Sequence, residues 1–224
     1  MRTLPLTSCI VSIPETDVAP AIVLYGGLDD MEGDWFLTTQ RIPLFMRQKF
    51  YFILPKHYTN EYKDCIAEFR DKGHIDQKNI SAYLLCGFSF GAGALYRIMT
   101  YCPRPEEWKT REWKMLGLID PSPPTVTGFQ NLWHLGFTDG VLDSFKDKIR
   151  CVYWEENWRD EKNPGLIHKA SRFAEHLRSL PNAKTFRLGP SPGRQGVKHP
   201  DMPPAFFTQF KDELMLMSAL RAAA

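Results

Sequence analysis

Four short runs, Ala21–Tyr25 (AIVLY), Phe50–Leu54 (FYFIL), Ala82–Cys86 (AYLLC) and Met115–Ile119 (MLGLI), are apolar almost without interruption. A strand with one wet face alternates apolar and polar residues. A strand buried on both faces does not, and that is the condition of strands in a parallel sheet covered by helices. Ile149–Trp154 and Lys184–Leu188 extend the series to six expected strands. Parallel neighbours cannot be joined by tight turns and need crossovers, most often helical.

Helical patterns fill the gaps. Tyr62, Ile66 and Phe69 share a face, with Thr59 or Asn60 to cap the start and Gly73 to end it. A second helix follows Ser89, and Leu166, Ala170, Phe173 and Leu177 form a stripe that stops before Pro181. Phe207, Phe210, Leu214 and Met217 predict one last helix after a Pro203-Pro204 start. The expected fold is α/β, a mostly parallel central sheet with helices on both faces. Residues 1–221 read as one domain, and Ala222-Ala223-Ala224 as an appended tail that carries no functional argument.

Composition narrows the function classes. With 43% hydrophobic and 24% charged residues, the chain has the makings of an ordinary packed core. A formal net charge of only +2, with no long basic run, argues against a nucleic-acid partner. The start, MRTLPLTSCIVSIPE, has one arginine and a broken apolar run, so it does not read as a signal peptide. No stretch reaches the roughly 18 apolar residues that span a bilayer. The five cysteines (Cys9, Cys65, Cys86, Cys102, Cys151) are odd in number and scattered, several inside apolar runs. They read as small buried hydrophobes in a reducing, cytoplasmic setting.

The chemistry concentrates at Gly87-Phe88-Ser89-Phe90-Gly91. A buried strand runs straight into this stretch, and the helical positions Ala94, Leu95, Ile98 and Met99 run out of it. A serine at such a junction sits on a sharp turn and projects above the C-terminal edge of the sheet. Gly87 and Gly91, with Ala92 next, leave room for the chain to fold back on itself, and Gly93 and Ala94 let the helix approach the sheet. The bland alternative is a glycine turn packed for closeness, with Ser89 as a helix cap.

In this order of elements, from the Ala21–Gly27 strand to the last helix, the chain resembles the α/β-hydrolase fold, whose nucleophile elbow has the Gly87–Gly91 arrangement. The resemblance implies that Ser89 is a nucleophile and that the Phe90 N–H is one oxyanion donor. The second donor, Gly27 or Leu28, would come from the Gly26-Gly27-Leu28 loop after an earlier strand. The base implied is a histidine between the last strand and the last helix, which is where His199 stands, with Pro200 biasing it toward extended backbone. The acid implied follows the Ile149–Trp154 strand. Glu156 is placed first by its distance from that strand, then Glu155, then Asp160. Asp120, after the preceding strand, is a fourth candidate because some relatives of the fold draw the acid from there.

These roles give a carboxylesterase-like serine hydrolase with a covalent acyl-enzyme, acting on a small-molecule ester or acyl substrate. It would need no cofactor and no metal: HExxH, paired CxxC and P-loop patterns are all missing from the sequence. Phe88, Phe129, Trp133 and Phe137 are expected to wall an apolar acyl pocket, the last three from a short cap segment within residues 121–148. A cap this small favours accessible esters over long lipids. The acidic run Asp29, Asp30, Glu32 and Asp34 reads as a solvated loop. Thioesterase, peptidase or polyester cleavage on the same machinery remain open, as does a non-catalytic binding protein on the same scaffold. Nothing in the sequence sets an oligomeric state.

Overall fold

The computed structural model describes residues 2–27, 35–56, 62–72, 75–76, 79–89, 91–92, 95, 113–121, 146–154, 177–179, 181–189 and 199–219. Its centre is an eight-stranded sheet in the order β1-β2-β4-β3-β5-β6-β7-β8. The strands are β1 (Arg2–Pro5), β2 (Cys9–Ile13), β3 (Ala19–Tyr25), β4 (Tyr51–Pro55), β5 (Ile80–Phe88), β6 (Trp113–Ile119), β7 (Ile149–Trp154) and β8 (Lys184–Leu188). From β4 through β8 every pairing is parallel, while β1 and β2 pair antiparallel and β2 runs antiparallel to β4. The six expected strands are all present, two of them with the expected bounds and the others shifted or lengthened by a few residues.

The apolar runs are buried on both faces, as their composition requires. Val23, Tyr25, Ile53, Leu85 and Leu118 point into one core together with Tyr62, Cys65 and Phe69 of α3 (Tyr62–Asp71). Their neighbours in sequence, Ile22, Leu24, Phe52, Leu84 and Cys86, point into a second core. That core is closed by α1 (Trp35–Thr38), α2 (Leu44–Lys49), α4 (Met202–Gln209) and α5 (Lys211–Ala219). Cys9, Cys65, Cys86 and Cys151 are buried free thiols in these cores. Burial alone pushes the Cys86 thiol up to about 12, a backbone hydrogen bond from Gly117 notwithstanding.

Three features depart from the sequence expectation. The N-terminal hairpin was not expected: the segment read only as a poor leader contains Cys9–Ile13, buried at four of five positions beside β4. Glu68 of α3 holds its turn, accepting the Thr7 and Ser8 N–H groups at 2.7 and 2.8 Å. Second, α1 and α2 are too short to show a helical period. Third, the single last helix is two, α4 and α5, divided at Phe210 (φ −104°, ψ 18°). Hydrogen bonds from Phe210 to Phe206 and from Leu214 to Phe210 still cross the division, which keeps Phe207, Phe210 and Leu214 buried in the same core, with Met217 only partly covered.

Helix α4 lies against the middle of the sheet because one strand residue has no side chain. A Cβ on Gly117 would lie 2.6 Å from Cys86 Sγ and 2.7 Å from Phe206 Cζ. The Phe206 ring therefore occupies space that any other residue at 117 would fill. Among the described residues, no helix is long and apolar enough to cross a membrane.

Candidate active site

The strand order sets where a ligand can enter. From β3 the chain crosses to β4 on one side, and from β5 it crosses to β6 on the other. Loops that leave adjacent parallel strands in opposite directions open a crevice at the strands' carboxyl ends. The register then aligns three positions on that edge. Tyr25 pairs with Gly87 and Phe88 with Ile119, so Gly26-Gly27, Ser89 and Asp120 follow side by side.

Ser89 has φ 52°, a left-handed backbone that a side-chain-bearing residue adopts at a cost. Its N–H donates to Ile119 O at 2.9 Å, and its carbonyl accepts the Ala92 N–H at 3.2 Å, so the chain turns from strand to helix within three residues. The flanking glycines make that turn possible. A Cβ on Gly87 would sit 2.7 Å from the Ala92 nitrogen, and one on Gly91 would collide with the carbonyl oxygens of Tyr25 and Gly26. These contacts are with backbone, which cannot move aside. Gly27 closes the crevice from the other strand: its Cβ position lies 3.5 Å from Ser89 Cβ and 3.7 Å from Ser89 Oγ. The serine hydroxyl thus borders the Gly26-Gly27 loop, while Leu28 and Phe90 lie outside the described residues.

Asp120 also has a left-handed backbone, φ 42°, and its N–H donates to Val152 O at 2.7 Å. It is half-buried next to the residue that accepts the Ser89 N–H. Burial first, and the Asp120 charge second, push the thiol of Cys151 on β7 well up. Glu155, Glu156 and Asp160 lie outside the described residues, so the four carboxylates are not ranked by geometry. His199 opens a 3₁₀ turn, His199–Asp201, rather than the extended backbone expected ahead of Pro200, and the turn leads directly into α4; the backbone is described there but not the imidazole.

The aromatic surroundings differ from a simple pocket wall. Phe88 is 2% exposed and is a core residue. Its ring stacks on Trp35 at 5.9 Å and 6° and meets Phe36 edge-on at 6.0 Å. The half-buried ring beside the elbow is therefore Trp35, which the sequence reading passed over. Phe129, Trp133 and Phe137, with the rest of 122–145, lie outside the described residues, as do Asp29, Asp30, Glu32 and Asp34. Two charged residues were also missed. Arg41 lies with its guanidinium carbon 5.4 Å from the Trp35 ring centroid and forms an ion pair with Asp201. A signal for Asp201 was present in the sequence Asp201-Met202-Pro203-Pro204, a cap-type residue ahead of two prolines.

Neither a protein-family model nor a curated protein matches the chain in sequence. Solved structures match it in fold. TT1662 of Thermus thermophilus superposes with a TM-score of 0.57 at 15% identity, over 95% of this chain and 98% of that one. LpqC, a poly(3-hydroxybutyrate) depolymerase from Bordetella parapertussis, gives 0.53 at 14% identity, over 93% and 87%. Esterase B of Lactobacillus rhamnosis, solved with a tributyrin phosphonate inhibitor, gives 0.53 at 12% identity, over 94% and 80%. The architecture is that of α/β-hydrolases.

Proposed function

We propose that the chain is a serine hydrolase that cleaves an ester-type acyl bond on a small molecule. The observation that carries the reading is the left-handed Ser89 at the strand-to-helix turn, with its Oγ against the Gly26-Gly27 loop. Strain is retained where the surrounding structure enforces it, and such positions cluster at functional sites. A serine that only capped the helix would not need φ 52° or two glycines that any methyl would jam against backbone.

In this reading Ser89 Oγ attacks the acyl carbonyl as His199 takes its proton. One carboxylate, Glu156 or its alternatives Glu155, Asp160 and Asp120, fixes the imidazole tautomer and stabilises the imidazolium. The backbone N–H groups of Phe90 and of Gly27 or Leu28 receive the oxyanion. His199 then returns the proton to the leaving alcohol, and water releases the acid by the reverse sequence. Phe129, Trp133 and Phe137 remain the proposed acyl-pocket residues, with Phe88 backing the pocket from behind Trp35, a small cap over 121–148 and a cytoplasmic location.

Fluorophosphonate labelling followed by peptide mass mapping tests the nucleophile. The adduct is expected on Ser89; an intact protein that stays unlabelled there would sink the hydrolase reading. On p-nitrophenyl esters of graded chain length, Ser89→Ala is expected to lower kcat by about 10⁴-fold or more. Activity within tenfold of the parent would point to another nucleophile.

A further inference from the structure

We propose that Arg41 is a positioning residue, holding the turn that carries His199 at a fixed place relative to the Ser89 elbow. The inference rests on the roles given to Ser89 and His199 above. It begins with a helix start that cannot be capped in the usual way. An aspartate at the N-cap ordinarily accepts a hydrogen bond from the N–H of the second or third helical residue. In α4 those residues are Pro203 and Pro204, which have no N–H, and Asp201 makes no side-chain capping bond. Its carboxylate is therefore available to another donor, and the donor it meets is Arg41, 160 residues away in sequence.

Arg41 in turn is fixed on the elbow side. Its own N–H donates to Phe36 O at 3.0 Å. Its guanidinium lies over Trp35, and Trp35 stacks on Phe88, the residue before Ser89. A continuous set of contacts thus runs from Phe88 through Trp35 and Arg41 to Asp201, two residues after His199. The planar guanidinium can lie along the ring face while its edge presents an N–H to the carboxylate, a fixed fork that the point charge of lysine reproduces less well. The link matters because base and nucleophile come from segments far apart in the chain, at residues 199 and 89. A misplacement of about 1 Å in such a pair costs about 10²-fold in rate.

The test is a double-mutant cycle with Arg41→Ala, Asp201→Asn and the two combined, using p-nitrophenyl butyrate hydrolysis and the rate of fluorophosphonate labelling at Ser89. Each single substitution is expected to lower kcat and the labelling rate by about 10- to 100-fold, with KM within about threefold. The double variant should lose no more than the worse single one, because both act through one link. Arg41→Lys should fall between wild type and Arg41→Ala, and if Arg41→Ala does not fold, the cycle is run with Arg41→Lys. Wild-type labelling with unchanged rates in the variants, or losses that multiply in the double variant, would overturn the positioning role and leave the hydrolase reading standing. A wild-type protein that does not label at Ser89 would overturn both.

Discussion

Two arginines tie the C-terminal helices to the rest of the molecule, under opposite physical conditions. Arg150 on β7 is 7% exposed, and each of its three side-chain nitrogens donates a hydrogen bond. Its Nε and Nη2 meet the two oxygens of Glu213 on α5 at 2.9 and 2.6 Å, and its Nη1 meets the carbonyls of Asp147 and Ile149. Arg41 has one carboxylate contact, to a half-exposed Asp201, and a ring beneath it; among the described residues its Nε has no acceptor. The first pair answers a burial problem, since a guanidinium inside the protein must have every donor satisfied. The second satisfies little and sets a direction. The comparison separates what keeps the chain folded from what keeps two distant segments aligned.

Breaking the buried pair should have the larger effect on stability. Glu213→Ala leaves Arg150 charged and buried, at a cost of about 3 kcal/mol, the lower end for such pairs because Glu213 is partly exposed. Urea titration would register it as a lower midpoint, and thermal melting as a drop of about 6–12 °C. The proposed hydrolysis of p-nitrophenyl butyrate, per folded molecule, should stay within about twofold. If that activity fell as steeply as with Arg41→Ala, the division of labour between the arginines would be wrong.

Acidification sharpens the same contrast. Hydrogen bonds from Arg150 hold the Glu213 carboxyl below its ordinary 4.5 against the opposing effect of burial, and the charges of Arg150 and Lys184 add to the lowering. A carboxyl lowered in the folded state contributes stability that is fully present above the unfolded value of 4.5. That contribution is lost as pH falls through the lower folded value. Glu68 acts with the same sign: burial would raise it, but hydrogen bonds from Lys72, Ser8 and Thr7 outweigh that and hold it low. The unfolding free energy should therefore decline below about pH 4.5, and the decline should be shallower in Arg150→Met/Glu213→Leu. An unchanged slope would mean that the pair carries no linkage. The smallest stability effect belongs to Arg41→Ala, about 1 kcal/mol or less, because its partner is half-exposed. A loss of several kcal/mol there would recast Arg41 as a fold-holding residue.

The middle of the sheet was legible because its strands are buried twice over, and residues such as Ile22 and Val23 need no context to say so. The elbow was legible for a related reason: Gly87, Ser89 and Gly91 record a steric requirement within five residues. The N-terminal hairpin escaped because Pro5 and Pro14 break the apolar run around Cys9–Ile13, which hides a strand of five residues. The division at Phe210 escaped because a heptad-like stripe reads the same in one helix or two that share a face. Arg41 and Asp201 escaped because their contact spans 160 residues. Only the proline pair after Asp201 marked one of the two, by removing the donors its carboxylate would have used.

Gly117 carries no side chain and sits on β6 two residues before Ile119, yet it works as a depth gauge. Because Phe206 rests where a methyl at 117 would be, the clearance between helix and sheet is set by the width of one hydrogen atom. Asp201 and the start of the histidine-bearing turn lie within two helical turns of that ring. A single added carbon at 117 would press on that ring and, through α4, on the turn that begins at His199, so the placement that the proposed base needs is calibrated from underneath, at a residue with no chemistry of its own.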